Sequence, residues 1–300
     1  MVQMIQSEEV LQLRLRSLLF VPADSEKKIH KALGTPAHVV ILDLEDAVAP
    51  SAKDDARGLA CATLRDERSK PIAVRINSAE TAWYLEDLAA VASLAPDLIM
   101  LPKCSGGRDV VRLADQLSVL EMAAGIPVGA TAILPLVTET AAALTSLDYR
   151  GASPRLCGLA VAGEDLAADL GVEARDASGL NPLLAEARRA VAIAAAAAGV
   201  AAIDTPFPDP RDQAGLLHEA AQAARLGFTG KMCIHPAQIE AIHASFEPSD
   251  ARIRWAHAVV EAFAIPTADG VTLLDGKMID RAHLRLARRL LPQAELPSAA

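Results

Sequence analysis

The chain has 300 residues, a hydrophobic fraction of 52% and a formal net charge of −9 at pH 7. This length allows one large domain with an appendage, the negative charge argues against a nucleic-acid partner, and an aromatic content of 3% argues against a stacking surface for bases. The four cysteines form no CxxC pair, and no apolar stretch reaches the roughly 20 residues of a membrane span. We therefore expect a cytoplasmic protein without a membrane segment.

Short apolar runs alternate with helical patterns along most of the chain. Several runs are apolar throughout, which is typical of parallel strands buried on both faces. The predicted strands cover residues 17–22, 38–44, 72–76, 97–101, 131–137, 155–161, 200–204 and 228–234. The helical patterns between them cover residues 24–34, 52–66, 80–93, 108–122, 139–146, 164–170, 181–198 and 213–226.

This alternation predicts an α/β protein with a closed (β/α)₈ TIM barrel rather than an open doubly wound sheet. No GxGxxG motif follows the first strand, which argues against a dinucleotide-binding fold. We assign residues 1–235 to the barrel and residues 236–300 to a C-terminal helical extension. The extension has helical patterns at 236–245 and 249–263, a DGKMID segment and a last helix to about residue 291. It is longer than barrel closure requires, so we expect it to pack on a neighbouring subunit of an oligomer.

Polar side chains follow most of the predicted strands. In a (β/α)₈ barrel the carboxyl ends of the strands form one mouth, where catalytic residues lie. The residues at these ends are Asp46, Arg75, Lys103, Glu139, Asp165, Asp204 and His235. The sequence therefore predicts an enzyme whose active site lies at this mouth.

Glu139 and Asp165 follow consecutive predicted strands, so their carboxylates should be neighbours. Two carboxylates with several waters are a common way to bind Mg²⁺. Each residue also lies in the first turn of a predicted helix, where an acid interacts favourably with the helix dipole. The pairing on adjacent strands favours the metal site.

Glu45 and Asp46 add negative charge at the same mouth, and strand alternation places Asp43 on the same side as Glu45. Crowding by other acids raises the pKa of a carboxyl group, so these residues are candidates for proton relay, for binding metal-bound water, or for holding a cation. Arg75 is the candidate partner, and its guanidinium is equally suited to bind a substrate carboxylate in a bidentate manner.

Lys103 and His235 have less specific roles at this stage. Lys103 fits the Schiff-base lysine of a class I aldolase, but the acid pair favours metal chemistry over it. His235 is a candidate for a general base or for a positional role at the mouth. The other histidines are scattered along the sequence and indicate no histidine metal cluster.

Several segments resemble the citrate lyase β-subunit-like family of the HpcH/HpaI aldolase superfamily, and the resemblance extends from about Arg16 to Arg289. They include RSLLFVPADSEKKIHKAL, VVILDLEDAVAPSAKDDAR, GLAVAGEDLAADLG, GFTGKMCIHPAQI and DGKMID. The resemblance implies a TIM barrel that assembles as trimers or hexamers. It also implies Mg²⁺-dependent cleavage or formation of a C–C bond next to an acyl thioester, such as malyl-CoA, citramalyl-CoA or citryl-CoA, with a 2-keto acid as product.

The resemblance also implies a role for each matching residue. Glu139 and Asp165 would bind Mg²⁺, and Arg75 would bind the carboxylate of the keto acid. Asp280 would act as the acid or base at the α-carbon of the thioester, reaching the site from a neighbouring subunit. Glu45 and Asp46 would lie in the outer shell, and the residues lining the CoA and substrate pocket would be Arg16, Lys103, Ile234, His235 and Pro236.

Three alternatives remain open at the level of sequence. The chain fits a citrate lyase β-subunit that acts on a thioester of an acyl carrier protein, although the Asp280 segment favours a free-standing CoA enzyme. It also fits a malyl-CoA thioesterase, in which water attacks the thioester. A non-catalytic binding barrel should lack a metal carboxylate or the arginine, and this chain lacks neither.

Overall fold

The computed structural model describes residues 14–176, 179–264 and 270–291. The chain divides into two compact units, the first ending at Phe246 and the second beginning at Glu247. No helix in the described part of the chain is long and apolar enough to cross a membrane.

The first unit is built on a parallel eight-stranded sheet with the strand order β5-β4-β3-β2-β1-β10-β9-β6. The strands of this unit are β1 (Ser17–Pro22), β2 (Val39–Asp43), β3 (Ile72–Arg75), β4 (Leu98–Leu101), β5 (Ala132–Pro135), β6 (Gly158–Ala160), β7 (Arg175–Asp176), β8 (Gly179–Leu180), β9 (Ala201–Asp204) and β10 (Gly230–Cys233). Ile133 N donates to Arg155 O at 2.8 Å and Cys157 N donates to Ile133 O at 3.1 Å. These bonds join β5 to the chain entering β6 and close the sheet into the predicted barrel.

Each helix of this unit follows a strand along the chain. They are α1 (Glu26–Leu33), α2 (Lys53–Arg65), α3 (Trp83–Ala92), α4 (Gly107–Ala123), α5 (Ala141–Leu144), α6 (Gly163–Leu170), α7 (Pro182–Ala198), α8 (Gln213–Leu226) and α9 (Ile239–Phe246). The predicted ends of α7 are confirmed: Asn181 accepts a hydrogen bond from Leu183 N, Pro182 occupies the first turn, and Gly199 follows the helix at φ 74°. This is the usual asymmetry of helix termini.

Successive residues of a strand belong alternately to two apolar layers. This alternation decides which side chains reach the mouth. Val39 and Ile41 lie in the layer inside the barrel, whereas Val40 and Leu42 pack in the layer with the helices. Continuing the period of two along β2 places Asp43 on the inner side. Ala73 lies in the inner layer, and the same period brings Arg75 to the inner side of β3.

The antiparallel pair β7–β8 is an insertion that the sequence analysis did not predict. The second unit contains another unpredicted hairpin, and its elements are α10 (Asp250–Ala264), β11 (Val271–Leu274), β12 (Lys277–Asp280) and α11 (Arg281–Leu290). The turn between β11 and β12 has positive φ at Asp275 and Gly276. A small apolar core that includes Val259, Ile279 and Ala287 holds this unit together.

Candidate active site

A cavity of about 440 Å³ opens at the carboxyl ends of the barrel strands. Its lining combines apolar side chains with several carboxylates and one guanidinium. The lining residues are Phe20, Pro22, Asp43, Asp46, Ala47, Arg75, Leu136, Ala162, Gly163, Glu164, Asp165, Thr205, Pro206, Met232 and Ile234. The cavity lies where the sequence predicted an active site.

Arg75 and Asp43 form a buried bidentate ion pair at this mouth. Arg75 Nε donates to Asp43 Oδ1 at 2.8 Å, and the Nη2 atom donates to Asp43 Oδ2 at 2.6 Å. The Nη1 atom lies 3.0 Å from Glu45 Oε2. The bidentate pairing holds Arg75 in one orientation. It uses two of the five guanidinium N–H donors, so Arg75 keeps donors for a further anion.

Glu45 is buried and bound by a lysine from the next strand but one. Lys103 Nζ donates to Glu45 Oε1 at 2.7 Å, and it lies 3.7 Å from Glu139 Oε1 and 3.9 Å from Asp46 Oδ2. Burial raises the pKa of the Glu45 carboxyl, although Arg75 and Lys103 partly offset this effect. Lys103 is therefore engaged with carboxylates.

Glu139 is 4% exposed, and its two oxygens have different surroundings. Oε2 accepts a hydrogen bond from Lys103 N, whereas Oε1 has no hydrogen-bond partner within the described structure. Burial raises the pKa of Glu139 to about 7, and the charges of Glu45 and Asp165 add to the rise. A buried carboxylate oxygen that accepts no hydrogen bond is costly, so its surroundings suit a metal cation in addition to Lys103.

Asp165 lies in the first turn of α6, beyond the end of β6, and lines the cavity. Two threonines fix the turn that carries it. Ala162 N donates to Thr138 Oγ1 at 2.8 Å, and Gly163 N donates to Thr205 Oγ1 at 2.9 Å. A Cβ atom at Gly163 would lie 2.9 Å from Thr205 Oγ1, so this close approach requires glycine.

The acidic side chains fit a divalent metal ion. One carboxylate oxygen from each of Glu45, Asp46 and Glu139 lies within 4.8 Å of the others, and Asp165 lies near enough to Glu139 to raise its pKa. Carboxylate oxygens are the ligands that Mg²⁺ prefers. Acids outnumber cations among the described side chains here: Asp43, Glu45, Asp46, Glu139 and Asp165 face Arg75 and Lys103.

The segment after β10 places one of its predicted site residues in the cavity lining. Ile234 lines the cavity. His235 Nδ1 accepts a hydrogen bond from Ala237 N at 3.1 Å, and His235 is the N-cap of the short 3₁₀ helix Pro236–Gln238. The imidazole therefore caps this helix through Nδ1, and both roles that the sequence analysis left open at the mouth stay predictions.

The structure does not bring Arg16 to this cavity within one protomer. Arg16 precedes β1, and Pro22 at the far end of that strand lines the cavity. The rise of an extended strand separates them by roughly 20 Å. The proposed contact of Arg16 with CoA stays a prediction.

Asp280 belongs to the second unit. Its Oδ1 atom accepts hydrogen bonds from Ala282 N at 2.8 Å and His283 N at 3.3 Å, which makes it the N-cap of α11. Hydrogen bonding to His283 lowers the pKa of Asp280. Its predicted catalytic role is not tested by these contacts.

Asp204 is the last residue of β9, but its side chain does not join the mouth as the sequence suggested. It is fully buried, and its carboxylate binds Arg188 Nε at 2.9 Å and Lys231 Nζ at 2.6 Å. The sequence analysis also missed Thr138 and Thr205. Their hydroxyls act on backbone groups of another strand end, and no local spacing signals that.

Comparison with known proteins identifies the family of this chain. Residues 16–236 match the family model of the HpcH/HpaI aldolase/citrate lyase family. The chain belongs to this family. Two family relatives align over nearly their whole length: citrate lyase subunit beta from Escherichia coli is 34% identical over 285 residues, covering 94% of this chain and 93% of the relative. The (3S)-malyl-CoA thioesterase from Cereibacter sphaeroides is 36% identical over 289 residues, covering 95% and 96%.

A solved structure of the HpcH/HpaI aldolase/citrate lyase type extends this similarity to three dimensions. The CitE protein from Mycobacterium tuberculosis, in complex with magnesium, acetoacetate and coenzyme A, has a TM-score of 0.72 and 33% identity. The similarity covers 92% of this chain and 97% of that one. The family resemblance and the barrel fold predicted from the sequence are thereby confirmed.

Proposed function

We propose that this protein is a Mg²⁺-dependent carbon–carbon lyase that cleaves or forms a 3-hydroxyacyl-CoA thioester. Malyl-CoA, citramalyl-CoA and citryl-CoA are the candidate substrates, with acetyl-CoA and a 2-keto acid as products. The observation that carries the proposal is the buried Oε1 of Glu139, which accepts no hydrogen bond within the described structure, at a mouth where Arg75 and Asp165 line the cavity. A metal ion beside an anchored guanidinium suits a substrate that carries a carboxylate next to a hydroxyl group.

Glu139 and Asp165 are the proposed ligands of Mg²⁺, with Glu45 and Asp46 in the outer shell. A bound Mg²⁺ supplies Lewis acidity, which lowers the pKa of a substrate hydroxyl and balances the carboxylate charge. The CitE structure from M. tuberculosis, at 33% identity, contains magnesium, which supports Mg²⁺ as the cofactor.

The protein groups would then act as follows in the cleavage direction. Arg75, oriented by Asp43, binds the distal carboxylate of the substrate. Asp46, an exposed residue that lines the cavity, takes the hydroxyl proton. The O–H electron pair forms the carbonyl of the keto acid, the C–C bond breaks, and its electrons pass to the thioester as an enolate. Asp280 of a neighbouring subunit protonates the α-carbon, which yields the acetyl thioester.

The pocket and its partners complete the proposal. Lys103, Ile234, His235, Pro236 and, through assembly of subunits, Arg16 are the proposed contacts of CoA and substrate. We propose a homotrimer or hexamer in which Asp280 acts on the site of a neighbouring subunit. All four cysteines are unpaired, which suits the proposed cytoplasmic location.

Two neighbouring activities have their own support. The E. coli relative is a citrate lyase subunit beta, so a citryl thioester on an acyl carrier protein is a second candidate substrate. The C. sphaeroides relative is a (3S)-malyl-CoA thioesterase, so hydrolysis of malyl-CoA is a third candidate activity. Water would then attack the thioester carbonyl and release malate and free CoA.

A product analysis tests these activities against one another. Purified protein with Mg²⁺ would be given malyl-CoA, citramalyl-CoA, citryl-CoA and citryl-acyl carrier protein, each with an EDTA control. We expect EDTA-sensitive, equimolar release of a keto acid and acetyl-CoA from one of the CoA thioesters. Free CoA without a keto acid would indicate the thioesterase, and cleavage of the carrier-protein thioester alone would indicate a citrate lyase subunit. No cleavage of any compound would overturn the proposal and favour a binding barrel.

A further inference from the structure

Lys53, the first residue of α2, is buried behind the loop that carries Glu45 and Asp46. It is 6% exposed, and its ammonium group donates to Leu44 O at 2.6 Å, to Glu45 O at 2.7 Å and to Asn77 Oδ1 at 2.8 Å. An ammonium group has three donors, and all three are used. A cation at a helix N-terminus is unfavourable for the helix dipole, so helix stability does not account for a lysine at this position.

Asn77 supports the same loop and is itself held in place. Asn77 Nδ2 donates to Leu44 O at 2.9 Å and to Asp87 Oδ2 at 2.6 Å. Asp87 also accepts a bond from Arg57 Nε at 2.8 Å through its other oxygen. Two donors from separate elements, α2 and the end of β3, therefore converge on one carbonyl group of the loop.

The opposite side of the loop is bound by Asp43. Its Oδ1 atom accepts a hydrogen bond from Glu45 N at 2.9 Å, and its Oδ2 atom accepts one from Ala47 N at 3.3 Å. Both the N–H and the C=O group of Glu45 are thus bound. This fixes the backbone from which the Glu45 carboxylate reaches Lys103 and Arg75.

We infer that Lys53 is a positioning residue of the active site, which acts with Asn77 by fixing the backbone of Leu44 and Glu45. This inference rests on the proposed function, since Glu45 orients Lys103 and Arg75 around the proposed metal and substrate. Without Lys53, the Leu44 carbonyl keeps Asn77 Nδ2 as a donor and the Glu45 carbonyl keeps Val48 N. Each carbonyl loses the ammonium group that joins it to α2, so the backbone that carries the Glu45 carboxylate is held less firmly. A role in stability alone would leave the site unchanged in the folded protein.

Lys70 provides a matched control. Its ammonium group also donates to two backbone carbonyls, those of Thr35 and Ala37, but these precede β2 at the end of the barrel opposite the cavity. Both Lys53→Met and Lys70→Met should lower the midpoint of thermal unfolding. Only Lys53→Met should lower kcat, by about 10- to 100-fold, as for loss of a supporting residue around a metal site, and weaken Mg²⁺ binding measured by calorimetry.

Hydrogen exchange measured by mass spectrometry gives a readout that needs neither turnover nor metal. Lys53→Met should speed exchange in a peptide covering residues 44–47, whereas Lys70→Met should leave that peptide unchanged. If Lys53→Met does not fold, Asn77→Ala, which removes the second donor to Leu44 O, should show the same pattern. Unchanged hydrogen exchange in the variant that folds would overturn the inference. This measurement does not depend on thioester cleavage, so it distinguishes failure of the inference from failure of the proposed function.

A double-mutant cycle with Glu45→Gln tests whether Lys53 acts through Glu45. If it does, Lys53→Met should change kcat less than about twofold in the Glu45→Gln background, because coupled residues lose additivity. An equal loss of kcat in both backgrounds would contradict the inference. It would also be contradicted if Lys53→Met had the same kcat and Mg²⁺ affinity as Lys70→Met.

Discussion

Glu139 is the side chain on which the proposed site depends, because only one of its oxygens is satisfied by the protein. Lys103 N donates to Oε2, whereas Oε1 accepts no hydrogen bond in the part of the chain that the structure describes and faces the Lys103 ammonium group at 3.7 Å. A protein that buried this carboxylate for stability alone would have placed hydrogen-bond donors against both oxygens. Glu121, which is equally buried, has such a partner in Arg155, at 2.6 Å and 2.8 Å.

This contrast predicts opposite results for two isosteric substitutions. Glu139→Gln should abolish or weaken Mg²⁺ binding at least about tenfold, while the metal-free protein at neutral pH becomes more stable, because a buried charge is removed. Glu121→Gln should leave Mg²⁺ binding unchanged and lower stability, because it leaves Arg155 without its carboxylate. Calorimetry and thermal unfolding of both variants check this, and tight Mg²⁺ binding by Glu139→Gln would exclude Glu139 as a ligand.

The candidate residues of the mouth could be predicted because each follows an apolar run of the sequence, and strand ends converge in a parallel barrel. Arg75 and Glu139 were found in this way. The bidentate pairing of Arg75 with Asp43 rather than Glu45 depends on side-chain geometry that spacing does not encode. Lys53 gave no signal, because a lysine in the first turn of a charged amphipathic helix is ordinarily exposed.

At the level of elements, the turn between β6 and α6 delivers Asp165 to the cavity through a close backbone approach. Gly163 and Thr205 are held together by a hydrogen bond of 2.9 Å, and the added Cβ of any other residue would meet the hydroxyl oxygen at 2.9 Å. The position of Asp165 therefore depends on the absence of a side chain two residues before it.

Two glycine substitutions should have opposite effects on stability. Gly163→Ala should destabilise the protein and weaken Mg²⁺ binding, because Thr205 and the turn must move apart. Gly58→Ala, on an open face in the middle of α2 with no atom within 4 Å of the added Cβ, should stabilise it by up to about 1 kcal/mol. Chemical denaturation and Mg²⁺ calorimetry measure both effects. A Gly163→Ala protein as stable and as metal-competent as wild type would refute the tight-turn argument.

The eight barrel strands could be predicted to within a few residues. Most are short, continuous apolar runs bounded by glycine, proline or charge, which are typical of buried strands and indicate where they begin and end. The strand Ala201–Asp204, predicted at 200–204, is an example. The hairpin β7–β8 escaped prediction for a physical reason. The two-residue strands Arg175–Asp176 and Gly179–Leu180 are too short to show any alternation.

At the scale of the whole barrel, a buried ionic network joins the final strands to their helices. Lys231 Nζ donates to Asp204 at 2.6 Å and to Glu219 at 2.7 Å, and Arg175 Nε donates to Glu219 at 2.9 Å. Burial alone would raise the pKa of Glu219, but Lys231 and Arg175 hold it at about 2. Because removal of one partner would leave buried charges uncompensated, the network makes the barrel sensitive to acid.

The sign of this sensitivity follows from the lowered pKa. The folded-state pKa of Glu219 lies below its ordinary value of 4.5, so its contribution is present above about pH 4.5 and is lost as the pH falls towards 2. Urea unfolding should show that Glu219→Gln costs roughly 3 kcal/mol or more at neutral pH. The difference between variant and wild type should shrink as the pH falls from 4.5 to 2, and a difference that does not vary with pH would rule out this role of Glu219.

Assembly is the remaining question at the scale of the molecule, and complementation addresses it. Asp280→Asn should keep the α11 cap, since asparagine is as good an N-cap as aspartate, but should lose the acid proposed for a neighbouring site. Glu139→Gln and Asp280→Asn proteins should each be inactive, and co-refolding them should restore part of the activity in mixed oligomers. No recovery in oligomers shown to be mixed would place the action of Asp280 within its own subunit or remove it from catalysis.

The most direct measurement is keto acid release by the metal-free protein before and after Mg²⁺ is added, with the wild-type and Asp165→Asn proteins side by side. Malyl-CoA, citramalyl-CoA and citryl-CoA would be tested separately. We predict no release without metal, restoration by Mg²⁺ in the wild-type protein, and little restoration in Asp165→Asn. Release that persists in EDTA, or equal restoration in both proteins, would contradict a Mg²⁺ lyase site built on Glu139 and Asp165.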